Sequence, residues 1–357
     1  MPDQPAYPTR YAYAEALLEL AEANPDVVVL NADVAKSIGT MDLAERFPGR
    51  EFNFGIAEQN MMTAAAGMAT LGLIPFVSTY AVFASMRACE QVRTMICYPR
   101  LNVKIAASHG GLTPGQDGVT HQGLEDMALM RALAGMTIIM PADAASTRQA
   151  VWAAAAHPGP VYLRLTRDPV PALYDDNLDF QIGRAIALRS GPDATIIAIG
   201  DMVALALEAA SALEREGLRV SVLDMHTLKP LDEGAVLRAA CDTGAIVTAE
   251  DHTLFGGLGS AVAEVLGERC PVPLERVGLA NTFAESGPYR ELLTRYGLST
   301  AHIARAVRQA VERRGQPAAW AIPAASDAQA GASPPQLAGP PGRGGGASHV
   351  REQEEGS

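Results

Sequence analysis

Cysteine is scarce: four in 357 residues, at Cys89, Cys97, Cys241 and Cys270. None forms a CxxC pair and each sits in an apolar segment, so we read them as reduced core thiols rather than a disulfide or zinc framework. No apolar run approaches the roughly 18 residues that a membrane span needs. The N-terminal Met-Pro-Asp-Gln-Pro has neither a basic nor an apolar leader region, so the chain is expected to be soluble and cytoplasmic, with no membrane partner. Basic residues are outnumbered, 28 Lys and Arg against 40 Asp and Glu, for a net charge of −12. That balance argues against nucleic-acid binding, which needs a basic footprint, but leaves room for a local cationic pocket around a small phosphate. Several signatures are missing as well: no GxxxxGK[ST] loop, no HExxH, no GxSxG elbow, and no GxGxxG opening the first βα unit.

What remains is ample core material. Apolar residues make up 48% of the chain, which excludes wholesale disorder, and the length suggests two domains and a tail. Short apolar runs at Val27 to Leu30, Ile74 to Val77, Val103 to Ala107, Thr137 to Met140 and Val161 to Leu165 predict strands buried on both faces. Helical patterns alternate with them at Tyr11 to Ala23, Gln59 to Leu71, Val82 to Ile96, Glu125 to Ala134 and Ala145 to Ala155. The alternation predicts an α/β fold with a mostly parallel sheet covered by helices. After a polar connector at Asp168 to Asp179, a second α/β set follows. Its strands are Thr195 to Ile199, Val220 to Leu223 and Ile246 to Ala249, with helices at Val203 to Glu216, Glu233 to Ala240, Ser260 to Leu266 and Ile303 to Val311. We set the boundaries at 1–170, a linker at 171–190, a second domain at 191–314 and a tail at 315–357. In the tail, 32 of 43 residues are Gly, Pro, Ala, Ser or Gln, too few bulky groups to offset ordering entropy, so it is expected to be disordered.

Four features carry candidate chemistry. Glu58 opens an alanine-rich helix just after Gly55. It is either a first-turn acid complementing the helix dipole or a partly buried carboxylate able to share a proton with a bound heterocycle. The stretch from His109 to Gln122 leaves the carboxyl end of a strand, where ligands sit in open α/β sheets. It holds four glycines, a proline, Asp117 and His121, and so reads as a shaped loop rich in titratable groups. Tyr80 and Phe83, three apart, predict one helix face that packs either in the core or on a flat ring. Arg164 and Arg167 end a strand on different faces, so at most one reaches a site at that edge, where an arginine suits a phosphate or a surface ion pair. Gly256-Gly-Leu-Gly259 has the wrong spacing for a dinucleotide fingerprint and reads as a tight turn with close helix packing.

Phe54-Gly-Ile-Ala-Glu58-Gln, Tyr80-Ala-Val-Phe83 and Gly115-Gln-Asp-Gly-Val-Thr-His-Gln122 resemble the pyrimidine-binding domain of transketolase and its thiamine-diphosphate relatives. Val222-Leu-Asp-Met-His-Thr-Leu-Lys-Pro-Leu231 and Glu250-Asp-His-Thr-Leu-Phe-Gly-Gly-Leu-Gly259 resemble the transketolase C-terminal domain. The likeness spans roughly residues 8 to 313. It implies that Glu58 bonds the aminopyrimidine ring of thiamine diphosphate and favours its imino tautomer, which removes the thiazolium C2 proton. It implies that Tyr80 and Phe83 wall the pyrimidine, that Asp117 and His121 line the substrate channel, and that Arg10, Ser37, His109 and Arg167 hold a sugar phosphate. The family's diphosphate-binding domain, with its Gly-Asp-Gly and metal ligands, has no counterpart here. The resemblance therefore implies the C-terminal subunit of a split transketolase, needing an N-terminal partner subunit that ligates Mg2+, in an α2β2 assembly. The alternatives are a 1-deoxyxylulose-5-phosphate synthase-like or 2-oxo acid dehydrogenase beta-like subunit, or a non-catalytic regulatory subunit.

Overall fold

A computed structural model describes residues 5–315 of the chain. All but Gly315 of the segment expected to be a disordered tail, 315–357, lies outside the described residues. The first sheet is built from β2 (Val27–Asn31), β3 (Glu51–Asn53), β4 (Ile74–Tyr80), β5 (Lys104–Ser108), β6 (Thr137–Ile139) and β7 (Val161–Arg164), all parallel. A short ribbon, β1 (Tyr7–Pro8) with β8 (Pro169–Val170), ties the N-terminal segment to the end of this half. The second sheet contains β9 (Ile186–Arg189), β10 (Ala194–Ala198), β11 (Val220–Asp224), β13 (Ile246–Thr253) and β14 (Leu274–Leu279), parallel except for β9. Between β11 and β13, β12 (Thr227–Lys229) leaves the second set and pairs antiparallel with β6, extending the first sheet to the order β12-β6-β7-β5-β4-β2-β3.

The period-2 alternation of the strands divides the core. Val27, Val29 and Phe76 face α1 (Thr9–Ala23) and α7 (Ala144–Ala156), whose Tyr13, Leu17 and Val151 complete one buried cluster. Leu30, Val77 and Ile105 face the other way, onto Met61 and Met62 of α4 (Glu58–Thr70). That second cluster runs on without a break into Ile197, Val236 and Val262 of the C-terminal half, so the two sheets share one core. The remaining face of the second sheet is covered by α8 (Met202–Glu214) and α12 (Thr300–Arg313). Asp143 starts α7 with a reciprocal capping box to Ser146, and its other carboxylate oxygen accepts the N–H groups of Leu173 and Tyr174, pinning the connector.

Several expectations need correction. The helix expected at Val82 to Ile96 is broken into π-helical turns at Phe83–Arg87 and Val92–Cys97, flanking the α-helical turn α5 (Cys89–Gln91). Tyr80 is the last residue of β4, so it and Phe83 do not share a helix face. Helix α1 begins at Thr9, which puts Arg10 inside its first turn rather than ahead of it. The cysteines are not uniformly core: Cys97 is buried, Cys89 and Cys270 are half-buried, and Cys241 is exposed on α9 (Glu233–Thr243). Elements missed from sequence, among them β3, β9, β12, α2 (Ala35–Ile38), α3 (Met41–Arg46) and α11 (Tyr289–Arg295), are three to seven residues long. They are too short for periodicity to register.

Candidate active site

The carboxyl ends of β4 and β5, the two central neighbours of the first sheet, carry the aromatic centre of the site. Tyr80 ends β4, and its ring lies 3.9 Å from the His109 ring at 27°, a stacked arrangement. Phe83 stacks at 5.9 Å on the side of Tyr80, and His121 meets Phe83 edge-on at 5.5 Å. The Tyr80 hydroxyl donates to Ser37 Oγ at 2.9 Å, and Arg10 Nη1 donates to the same oxygen at 3.3 Å. Tyr80 thus links the residues expected at the pyrimidine ring to those expected at the phosphate.

Glu58 is the first residue of α4 and is buried at 1% exposure. Its Oε2 receives Arg87 Nη1 at 2.8 Å, while Oε1 receives only a long 3.4 Å contact from the Thr79 hydroxyl. Arg87 was not singled out from sequence. It ends the π-helical turn that Phe83 begins, and its guanidinium lies over the Phe83 ring, 4.3 Å from the centroid. The i, i+4 spacing of Phe83 and Arg87 was the available signal. The aromatic wall and the buried carboxylate are therefore tied together by one cation.

On the other side, Arg10 is half-buried and its Nε has no partner. Burial lowers its pKa, and the nearby Arg167 lowers it further. Arg167 itself pairs with Asp117 at 3.2 Å and donates to the Pro114 carbonyl. A half-buried guanidinium with an unpartnered Nε and a second arginine close by form a cationic pocket that an oxyanion would stabilise. His109 sits beneath Tyr80 at 1% exposure, with a left-handed φ of 62° and Nδ1 2.9 Å from Ser108 Oγ. Burial pushes its pKa down to about 2, with Arg10, Arg167 and His121 adding to the effect, so its ring is neutral at physiological pH. His121 is half-buried, and its Nδ1 lies 2.9 Å from the Thr120 hydroxyl.

Arg164 takes a different place from Arg167. It is fully buried, paired with Asp126 through Nε at 2.9 Å and Nη2 at 3.0 Å. Gly257, which caps α10 (Leu258–Arg269), and Gly259 in its first turn have no room for a side chain: a Cβ at Gly257 would stand 2.0 Å from Glu250 Oε2. Glu250 accepts the N–H groups of Leu258 and Gly259, and burial lifts its pKa to about 7. Among the described residues, no group of three His, Cys, Asp or Glu could hold a metal ion, and no helix is long and apolar enough to cross a membrane.

Comparison with known proteins gives the family of both halves of the chain. Residues 6–172 match the transketolase pyrimidine binding domain and residues 183–303 the transketolase C-terminal domain. The chain is 45% identical over 305 residues to the 6-deoxy-6-sulfo-D-fructose transketolase subunit SqwH of Clostridium sp., covering 85% of this chain and 95% of that one. It is 38% identical to a subunit of the apulose-4-phosphate transketolase of Phocaeicola vulgatus, covering 85% and 97%. Among solved structures, a split gene transketolase described as an inactive beta4 tetramer is similar with a TM-score of 0.81 and 50% identity, covering 87% of this chain and all of that one. The chain belongs to the transketolase family, carries its pyrimidine-binding and C-terminal domains, and is similar over its matched length to subunits of split transketolases.

Proposed function

We propose that this chain is the pyrimidine-side subunit of a two-chain, thiamine-diphosphate-dependent transketolase that moves a two-carbon ketol unit from a ketose phosphate to an aldose. Residues 1–170 would serve as the pyrimidine-binding domain, 171–190 as a linker and 191–314 as the C-terminal domain. The observation that carries this reading is the single connected cluster of Glu58, Tyr80, Phe83, Ser37 and Arg10, which places a buried carboxylate, flat rings and a cationic pocket in one chain of contacts.

The residues fit the cofactor. Glu58 Oε1, free but for the long Thr79 contact, is the acceptor available to a ring nitrogen, and it would hold the proton there. Tyr80 and Phe83 offer the aromatic surface for the pyrimidine, and Arg87 fixes the Glu58 carboxylate from its other oxygen. Thiamine diphosphate, when bound, supplies the electron sink for carbon–carbon bond cleavage. His121 and Asp117 would contact substrate hydroxyls and the carbonyl oxygen, and neutral His109 can donate or accept a hydrogen bond without adding charge. Arg10, Ser37, His109 and Arg167 would hold the terminal oxyanion, each charge-assisted bond contributing about 1.5–3 kcal/mol. By their names, the two relatives work on a sulfonated and a phosphorylated sugar, and both groups are oxyanions of the kind this pocket suits.

The diphosphate and its Mg2+ would be held by an N-terminal partner subunit, in a cytoplasmic α2β2 assembly. The two relatives, matched over 95% and 97% of their own length, are named as subunits of their enzymes, which supports that division. The test is Glu58→Gln in the reconstituted complex. An amide cannot hold the ring proton, so ketol transfer should fall by about a hundredfold or more, with the assembly itself intact by light scattering. Full activity in that variant would refute the reading.

A further inference from the structure

The loop that carries Asp117 and His121 is held from below by the other domain. Its stem closes where Gly111 N–H donates to the Gly123 carbonyl at 2.7 Å and Gly110 N–H to the Leu165 carbonyl at 3.1 Å. Into this stem reaches Asp251, fully buried near the end of β13 in the second sheet. Its Oδ2 accepts the Leu112 N–H at 2.8 Å, and its backbone carbonyl accepts Arg164 Nη2 at 3.1 Å. The same Nη2 donates to the Gly123 carbonyl at 2.7 Å. One acid and one arginine, from different sheets, therefore grip both ends of the loop.

The glycines of the stem are shaped to these two groups. A Cβ at Gly111 would stand 2.1 Å from Asp251 Oδ2, and one at Gly110 would stand 2.6 Å from Arg164 Nε. At its outer turn the loop rests on the same domain, with Gly287 N–H donating to the Gly115 carbonyl at 3.3 Å and Gln122 Nε2 to the Glu285 carbonyl at 3.2 Å. Asp251 makes no bond to the aromatic centre or to the oxyanion pocket, and a fully buried acid is costly unless it is hydrogen-bonded, as Asp251 Oδ2 is to the loop.

We propose that Asp251 is a positioning residue for the reaction: with Arg164, it fixes the loop from His109 to Gly123 from the C-terminal domain and so sets where His121 and Asp117 meet the substrate. The proposal rests on the transketolase reading for what the loop does, but the anchoring stands on the hydrogen bonds alone. Arg10 and Ser37 come from α1 and α2, which do not share this anchor, whereas His109 begins the loop and Arg167 bonds it at Asp117 and Pro114. Loosening the loop should therefore spoil the reacting end of the substrate and loosen only part of the grip on its anionic end.

Two measurements on Asp251→Ala and Asp251→Asn separate the proposal from the function it serves. In hydrogen exchange on the full chain, Asp251→Ala should speed exchange of amides in 110–123 by about tenfold, the loss of one buried bond, while β10 and β11 keep their protection. Asparagine keeps an acceptor oxygen and should restore most of that protection. In the reconstituted complex, with kcat counted per bound cofactor, alanine should cut kcat by about a hundredfold and raise KM for a sugar phosphate by less than about tenfold, and asparagine should recover much of kcat. If the alanine chain does not fold, asparagine carries the test, because its weaker acceptor should raise exchange at Leu112 a few-fold and nowhere in β10 or β11. Unchanged loop exchange, or acceleration spread evenly over the C-terminal domain, overturns the proposal. Altered loop exchange in a complex whose wild type lacks ketol transfer would leave the anchor standing and sink the transketolase reading instead.

Discussion

Arg87 is the residue that composition and motif could not assign, and it ties the buried carboxylate to the aromatic rings. Its guanidinium bonds Glu58 and lies over Phe83, so one side chain sets the carboxylate's orientation and covers a ring. Replacing it by methionine keeps the stem but removes both functions. Arg87→Met should weaken thiamine diphosphate binding to the complex and lower kcat by about tenfold, read by calorimetric titration and by assay. An unchanged affinity together with an unchanged kcat would contradict that role. Arg10→Ala and Arg167→Ala address the other end. Each should raise KM for a phosphorylated donor by about tenfold or more and leave turnover of an unphosphorylated acceptor nearly intact. Equal losses with both substrate types would contradict the oxyanion assignment.

Among the elements, the Gly-rich loop shows why sequence could single out a candidate site yet could not say what holds it. His109, Asp117 and His121 were legible because a loop leaving a buried strand with four glycines and two histidines has few structural reasons to exist. Strands β2, β4, β5 and β7 were legible because burial on both faces leaves continuous apolar runs. Asp251 was not, since nothing in Ile246-Val-Thr-Ala-Glu-Asp-His-Thr253 tells which polar side chain crosses to another sheet. The same applies to β12, whose three residues pair with β6 only because the chain returns there. The π-helical turns were illegible for a related reason: the stretch from Phe83 to Cys97 has ordinary helical composition, and nothing in it marks where extra residues enter a turn. Gly110 gives the element-scale test. Alanine there must displace buried Arg164, so Gly110→Ala should destabilise the chain by about 1–3 kcal/mol, measured by denaturant unfolding. A variant as stable as the wild type would mean that the loop stem is looser than these contacts imply.

At the scale of the whole molecule, the shared core and the crossing strand make the C-terminal domain part of the catalytic unit's framework. Its buried ionisable groups then give stability a pH dependence with two opposing parts. Burial, with Asp143 adding and the Tyr174 hydroxyl opposing, raises Asp224 from 3.8 to about 7. Between about pH 4 and 7 the folded chain keeps a proton there that the unfolded chain has lost, so this contribution falls as pH rises through that window. Burial lowers His226 from 6.5 to about 4, so over about pH 4 to 6.5 the unfolded chain holds the extra proton and this contribution grows with pH. Asp224→Asn removes the first and leaves the second. Its unfolding free energy should therefore climb more steeply between pH 4 and 6.5 than that of the wild type. Identical slopes would mean that Asp224 titrates normally in the folded chain.

The central claim is that this chain holds the pyrimidine half of a transketolase site and needs a partner for the rest. The direct measurement is ketol transfer from xylulose 5-phosphate to ribose 5-phosphate with thiamine diphosphate and Mg2+, run on this chain alone and on its mixture with a diphosphate-binding subunit. The account predicts no transfer by the chain alone and transfer by the mixture. Transfer by the chain alone, or turnover of pyruvate but no ketose phosphate by the mixture, would contradict it.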